Sequence, residues 1–223
     1  MISTAELVPD RPHEHRILLV DVSWQAYEEL RAVPQTRRLR MTYDRGELEL
    51  MSPSKRHERL GYVLGRFIDV LTEELNVPMQ GCRSTTFKRS DLSRGLEADN
   101  CYYIANEALV REREEIDLSV DPPPDLSVEI DISSSSIDRM SIYAALRVPE
   151  VWRHDSESLK FFSLNEGGQY LEIERSIAFP QITPDMLLEF LDHLYLMDET
   201  SLIREFRQWV RTELLSGPDA PQP

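Results

Sequence analysis

The 223-residue chain predicts a mixed α/β protein, and three observations carry that prediction. An apolar strand at 126–132 is followed by a helix at about 137–147 and a strand at 150–153, which implies two parallel strands joined by a helical crossover. A hairpin at 39–51 runs into a long amphipathic helix at 55–75. A second hairpin, at 159–177, leads into two C-terminal helices.

In chain order, residues 1–15 contain Pro9 and Pro12 without periodicity and predict a loose tail. Trp24, Tyr27, Leu30 and Arg31 at helical spacing predict a helix over 22–32. In the hairpin, Leu48 and Leu50 alternate with Glu47 and Glu49, as in a strand with one buried face. Ser54 is the N-cap of the next helix, where Leu60, Val63, Leu64, Phe67, Ile68, Leu71 and Leu75 make one apolar stripe. His57 falls on its inward side and Glu58 on its flank, while Gly61 and Gly65 admit a close neighbour. Asn76 and Pro78 end that helix. A strand near 80–88, a polar loop to 95–99, a strand at 100–104 and a helix with a loop over 105–120 follow. Pro122, Pro123 and Pro124 stiffen the entry to the strand at 126–132. Serines 133–136 cap the crossover helix, and Val148 and Pro149 stop it. The last helices span 184–196, with Thr183 as N-cap and Pro184 at N1, and 199–215. The domain layout expected is a tail (1–15), one domain (16–196), a C-terminal helix (197–215) and a disordered tail (216–223).

Composition narrows the function. The net charge of −15 opposes non-specific phosphate binding, which depends on clustered Lys and Arg, although 37–40 (RRLR) and 81–94 are locally basic. No apolar run is long enough to span a bilayer, and 1–16 lacks the apolar core of a secretion signal, so a cytoplasmic protein without membrane contact is expected. Cys82 and Cys101 fit neither a disulfide framework nor a zinc motif, and suit a reducing compartment as small buried apolar residues. Dinucleotide, P-loop, zinc-protease and serine-hydrolase motifs are absent.

What remains is acidic. Glu129 and Asp131 project from the same face of a strand whose neighbours are apolar or small. Either that strand is half exposed and the acids are solvated, or it is central and they need partners such as a hard divalent cation. Asp99, before the strand at 100–104, is a third acid.

These residues sit in ordered blocks: 43–53 (YDRGELELMSP) with His57 and Glu58, 95–99 (GLEAD) with Tyr102, Tyr103 and Ile104, 122–132 (PPPDLSVEIDI) with the serine run, 142–146 (IYAAL), and 148–153 (VPEVWR). Over roughly 16–195 the chain resembles the Uma family of the PD-(D/E)XK superfamily. The resemblance implies a restriction-endonuclease-like fold, a mixed central sheet flanked by helices. It also implies that Asp99 and Glu129 bind Mg²⁺ or Mn²⁺, and that the substrate is a nucleic acid, DNA in the first place. By analogy with nucleases of this fold, a homodimer is expected.

Three positions depart from the superfamily pattern. Ala98 replaces the proline before the first aspartate. Asp131 stands where lysine is usual and becomes a third metal ligand. Arg139 takes the position to which this family moves the lysine; it can stabilise charge but cannot act as a base. His57 is the remaining catalytic candidate, with Glu58 weaker. The expected function is therefore metal-dependent phosphodiester hydrolysis, with a nuclease-fold binding or assembly module as the alternative if Arg139 has cost the site its activity.

Overall fold

The computed structural model describes residues 14–83, 85–133, 135–155 and 157–215. Within them the strands form two sheets. One is antiparallel and joins β1 (His15–Leu19), β2 (Arg40–Asp44), β3 (Glu47–Ser52), β5 (Thr86–Arg89) and β6 (Arg94–Glu97) in the order β1-β3-β2-β6-β5. The other is mixed and joins β4 (Gln80–Gly81), β7 (Asn100–Tyr103), β8 (Leu126–Ile130), β9 (Glu150–His154), β10 (Leu159–Leu164) and β11 (Tyr170–Ile173) in the order β11-β10-β9-β8-β7-β4. The predicted parallel crossover is there: β8 pairs with β9 in parallel, Glu129 opposite Arg153.

The helices are α1 (Trp24–Ala32), α2 (Lys55–Glu74), α3 (Glu107–Val110), α4 (Arg139–Ala145), α5 (Pro184–Asp192) and α6 (Glu199–Trp209). Helix α2 starts where Ser54 caps it, the hydroxyl accepting the His57 N–H at 3.2 Å. Its apolar stripe covers Leu126, Val128 and Ile130 of β8, and α5 and α6 close the same core through Phe190 and Phe206, which pack against Phe67. A Cβ on Gly61 or Gly65 would stand 3.7 Å or 3.1 Å from Asn100 and Tyr102 side-chain atoms, so the close approach read from these glycines is made by β7. Helix α4 lies on the other face of the mixed sheet, its Ile142 and Tyr143 among Leu96, Cys101 and Val151.

Several expectations need correction. His15 and its neighbours form a strand on the edge of the antiparallel sheet, because Arg16 to Leu19 find partners on β3. Residues 1–13, including His13, and the expected tail at 216–223 lie outside the described residues. The single strand near 80–88 is two short strands, one in each sheet, so Lys88 and Arg89 belong to a different sheet from Gly81. The polar loop expected between 88 and 95 leads into a further strand, β6, whose apolar Leu96 is buried. The helix expected within 105–120 is only the single turn α3. Cys101 is buried as expected, but Cys82 is half-buried and stands opposite it. Much of the basic stretch is spent on local pairs: Lys88 with Glu28, Arg89 with Asp91, and Arg94 with Asp44.

Candidate active site

The candidate residues meet between the two sheets, where Arg139 is bonded to Thr42 and Glu97 of one and to Glu129 of the other. Asn100 is paired with Val128, so Asp99 and Glu129 fall opposite each other one step further along the ladder. Asp99 Oδ2 accepts the N–H of Ile130 at 2.7 Å, tying the first acid to the backbone beside the second. Both carboxylates are nearly inaccessible. The strand carrying Glu129 is buried along its whole length, so the solvated reading of that acid fails.

Each acid is surrounded by positive charge. His57 places Nε2 2.7 Å from Asp99 Oδ1 and Nδ1 2.5 Å from Glu14 Oε1. Ionised carboxylates only accept, so both ring nitrogens carry protons and His57 is an imidazolium. Burial lowers its pKa, but the hydrogen bonds and charges of Asp99 and Glu14 outweigh that and raise it from 6.5 to about 9. Arg40 Nη1 lies 3.2 Å from Asp99 Oδ1 and donates to the Ala98 carbonyl at 3.0 Å, while Nη2 donates to Glu58 at 2.9 Å. Burial works to raise the Asp99 pKa, yet His57, Arg40 and Arg139 hold it below the ordinary value.

Arg139 grips Glu129 with two parallel bonds, Nε to Oε2 at 2.8 Å and Nη2 to Oε1 at 2.7 Å. It also donates to the Glu97 carbonyl at 2.8 Å and to the Thr42 hydroxyl. The Tyr143 hydroxyl donates to Glu129 Oε1. Burial raises the Glu129 pKa, and the neighbouring Asp99 charge adds to the rise against the pull of Arg139.

The acids open on two neighbouring clefts. The larger, about 330 Å³, is lined by Glu129, Asp131, Arg16, Ser136, Arg139 and Arg153. The smaller, about 140 Å³, is lined by Asp99, His57, Arg40, Glu58, Arg83 and Asn100. Asp131 accepts from Arg153 through Oδ2, while its Oδ1 is buried with no hydrogen-bond partner among the described residues.

A family model, Uma2, described as "Putative restriction endonuclease", matches residues 24–192. The chain belongs to the Uma2 family. That membership brings with it the restriction-endonuclease-like fold, which the mixed sheet and its flanking helices exhibit, and points to a nuclease-like function on nucleic acid, a class that typically uses divalent metals. No curated protein matches the chain. No helix among the described residues is long and apolar enough to cross a membrane.

Whether the acids of this Uma2 chain suit a divalent cation is a question of donors. Among the described residues no three His, Cys, Asp or Glu side chains already form a ligand group. The donor type is nevertheless right, since hard cations take carboxylate oxygens. A carboxylate offers about four acceptor positions. Glu129 Oε2 and Asp99 Oδ2 each carry one hydrogen bond, and Asp131 Oδ1 carries none. Each of the three acids therefore keeps an open acceptor position of the kind a hard cation takes, and at Glu129 a cation would compete with the Arg139 guanidinium.

Sequence reasoning did not assign the residues that hold this cluster together. Glu14 comes from the segment expected to be a tail and Arg16 from its border: Glu14 takes His57, Ser133 and Arg16, the last two at 2.5 and 3.0 Å. Glu49, read as solvent-facing, is 1% exposed and is bound by Arg16, Ser135 and the Ser136 N–H at 2.7–2.8 Å. A serine run after an acidic strand was the available signal, because hydroxyls and free N–H groups there need an acceptor. Glu150, in the 148–153 block, is a buried acid of another kind. Its carboxylate is satisfied by the Trp152 indole and the N–H groups of Ile177 and Ala178, none of them charged.

Proposed function

We propose that the chain is a metal-dependent endonuclease that hydrolyses phosphodiester bonds, with Glu129, Asp131 and Asp99 as the groups that would hold Mg²⁺ or Mn²⁺. The observation that carries this is the pair Glu129 and Asp131 on one cleft, each with an unused acceptor position, in a wall that also presents Arg16, Arg139 and Arg153. A divalent cation bound there supplies Lewis-acid polarisation of the phosphate and a more acidic water. The chain's own residues do the rest. Arg139, always charged, presents a fixed cation toward charge developing on the phosphate and cannot remove a proton. His57, protonated at Nδ1 and Nε2, holds Asp99 ionised and in place. Arg153, 42% exposed at its side chain, is the cation at the mouth best placed to meet a backbone phosphate.

A second reading has an observation of its own. The two-pronged Arg139–Glu129 bond neutralises the acid at the centre of the site, as suits a nuclease fold that binds nucleic acid without cutting it. A nicking assay on supercoiled plasmid with Mg²⁺ or Mn²⁺ separates the two. The nuclease reading expects cation-dependent nicking that a chelator stops and that Glu129→Gln reduces by at least about 100-fold, a loss of about 2.7 kcal/mol of barrier lowering. Binding of the same plasmid without nicking selects the binding module, and nicking unchanged in Glu129→Gln rejects the assigned site.

A further inference from the structure

The chain has two cysteines, 19 positions apart, and the fold sets them face to face. In the short antiparallel ladder of β4 and β7, Gln80 pairs with Tyr103 and Gly81 with Tyr102, so the next pair is Cys82 with Cys101. The Cys82 N–H completes that step by donating to the Cys101 carbonyl at 2.9 Å. Residues directly opposed across a ladder send their side chains to the same face, and in a hydrogen-bonded antiparallel pair their Cα atoms lie about 5.5 Å apart. A disulfide spans Cα separations of roughly 4.4–6.8 Å, and directly opposed residues of an antiparallel ladder, at roughly 4.5–5.5 Å, fall within that range.

The two thiols also differ as a reactive pair should. Cys82 is half-buried and reachable, whereas Cys101 is fully buried and its thiol donates to the Arg83 carbonyl at 3.0 Å. The more accessible sulfur is the one an oxidant meets first.

We propose that Cys82 and Cys101 form a reversible dithiol–disulfide site, oxidised by a peroxide at Cys82 and resolved by Cys101. In the first step the Cys82 sulfur attacks one peroxide oxygen, the O–O bond breaks, and Cys82 sulfenic acid and one water form. In the second, the Cys101 sulfur attacks the Cys82 sulfur, the S–O bond breaks, and a second water leaves with the Cys101 proton. A thiol reductant reverses the result by exchange. The bond falls beside the smaller cleft, since Arg83 follows Cys82 and Asn100 precedes Cys101, and both line that cleft with Asp99. Oxidation would therefore fix one wall of the candidate site, but the chemistry of the pair does not depend on the nuclease reading.

The test uses the full chain, fully reduced, then exposed to hydrogen peroxide, alkylated, and measured by intact mass and non-reducing peptide mapping. The expected result is a monomer lighter by two hydrogens, with free thiol falling from two per chain to none, the Cys82 and Cys101 peptides linked, and both thiols recovered with dithiothreitol. Cys101→Ser should instead leave a sulfenic acid at Cys82 that dimedone traps. Cys82→Ser should leave Cys101 reduced, a control that stands if the first variant folds poorly. Alkylation of both cysteines after peroxide, sulfinic acid at Cys82 without linkage, or linkage only between chains would each overturn the proposal.

Discussion

The two faces of β8 differ as much as any two regions of this molecule, although all five residues of the strand are buried. Leu126, Val128 and Ile130 face α2 and belong to the main apolar core. Glu129, on the reverse, meets a guanidinium, a phenol and the charge of Asp99. The first face stabilises the fold by removing apolar surface from water. The second costs desolvation that its ion pairs roughly offset, so stability does not explain its presence. The contrast with Glu150 makes the same point within one sheet. There a buried acid is met by neutral N–H donors that close a turn, whereas Asp99 and Glu129 are met by cations beside two clefts.

That comparison can be broken most forcefully by paired substitutions. Phe67→Ala on the apolar side should cost about 3–5 kcal/mol in urea denaturation, because the ring leaves a cavity among Phe190 and Phe206. Arg139→Met should cost a similar 3–5 kcal/mol, by stranding Glu129 as an unpaired buried charge. Adding Glu129→Leu to Arg139→Met should recover most of that loss, since a well-packed apolar pair can replace a buried ion pair, and a double-mutant cycle measures the coupling. Absence of recovery would mean that the two faces are not different in kind.

The pH dependence of stability is the next largest effect. His57 is raised to about 9 in the folded chain, so its contribution is fully present below its ordinary 6.5 and is lost as pH rises through 9. Glu14 and Asp99 are lowered, so their contributions are present above the ordinary carboxylate range and are lost on acidification. Burial opposes the lowering at both acids, and their partners outweigh it. Metal-free protein should therefore be most stable between those limits and lose a few kcal/mol toward the alkaline side, at roughly 1.4 kcal/mol for each tenfold gain in proton affinity on folding. His57→Gln should flatten the alkaline limb; a limb unchanged in that variant contradicts the imidazolium assignment.

The smallest effect concerns the turn on which both faces depend. Ser54→Ala removes the cap whose hydroxyl accepts the His57 N–H, and should cost about 1 kcal/mol. Nicking should then fall more than the population of folded protein does, because the first turn of α2 carries His57 into the site.

Long periodic elements were legible from sequence for a physical reason: α2, with its stripe and its serine cap, and the β8–α4–β9 crossover are specified by local pattern. Asp99, Glu129, Arg139 and His57 do come together, although the family resemblance singled them out as much as their spacing did. Layered structure was less legible. The alternation of Glu47 and Glu49 with Leu48 and Leu50 says that one face is apolar but not that Arg16 and the serine loop cover the other. Four-residue strands such as β6 carry too few residues for periodicity to register. Glu14 and the Cys82–Cys101 pair depend on contacts between distant parts of the chain that no local pattern announces.

Calorimetric titration of Mn²⁺ into wild type, Glu129→Gln and Arg139→Met tests most directly whether a cation and the Arg139 guanidinium compete for Glu129. Competition predicts measurable binding in wild type, its loss in Glu129→Gln, and tighter binding in Arg139→Met. Isotherms that are the same in all three proteins, or no binding by wild type at millimolar Mn²⁺, would contradict it.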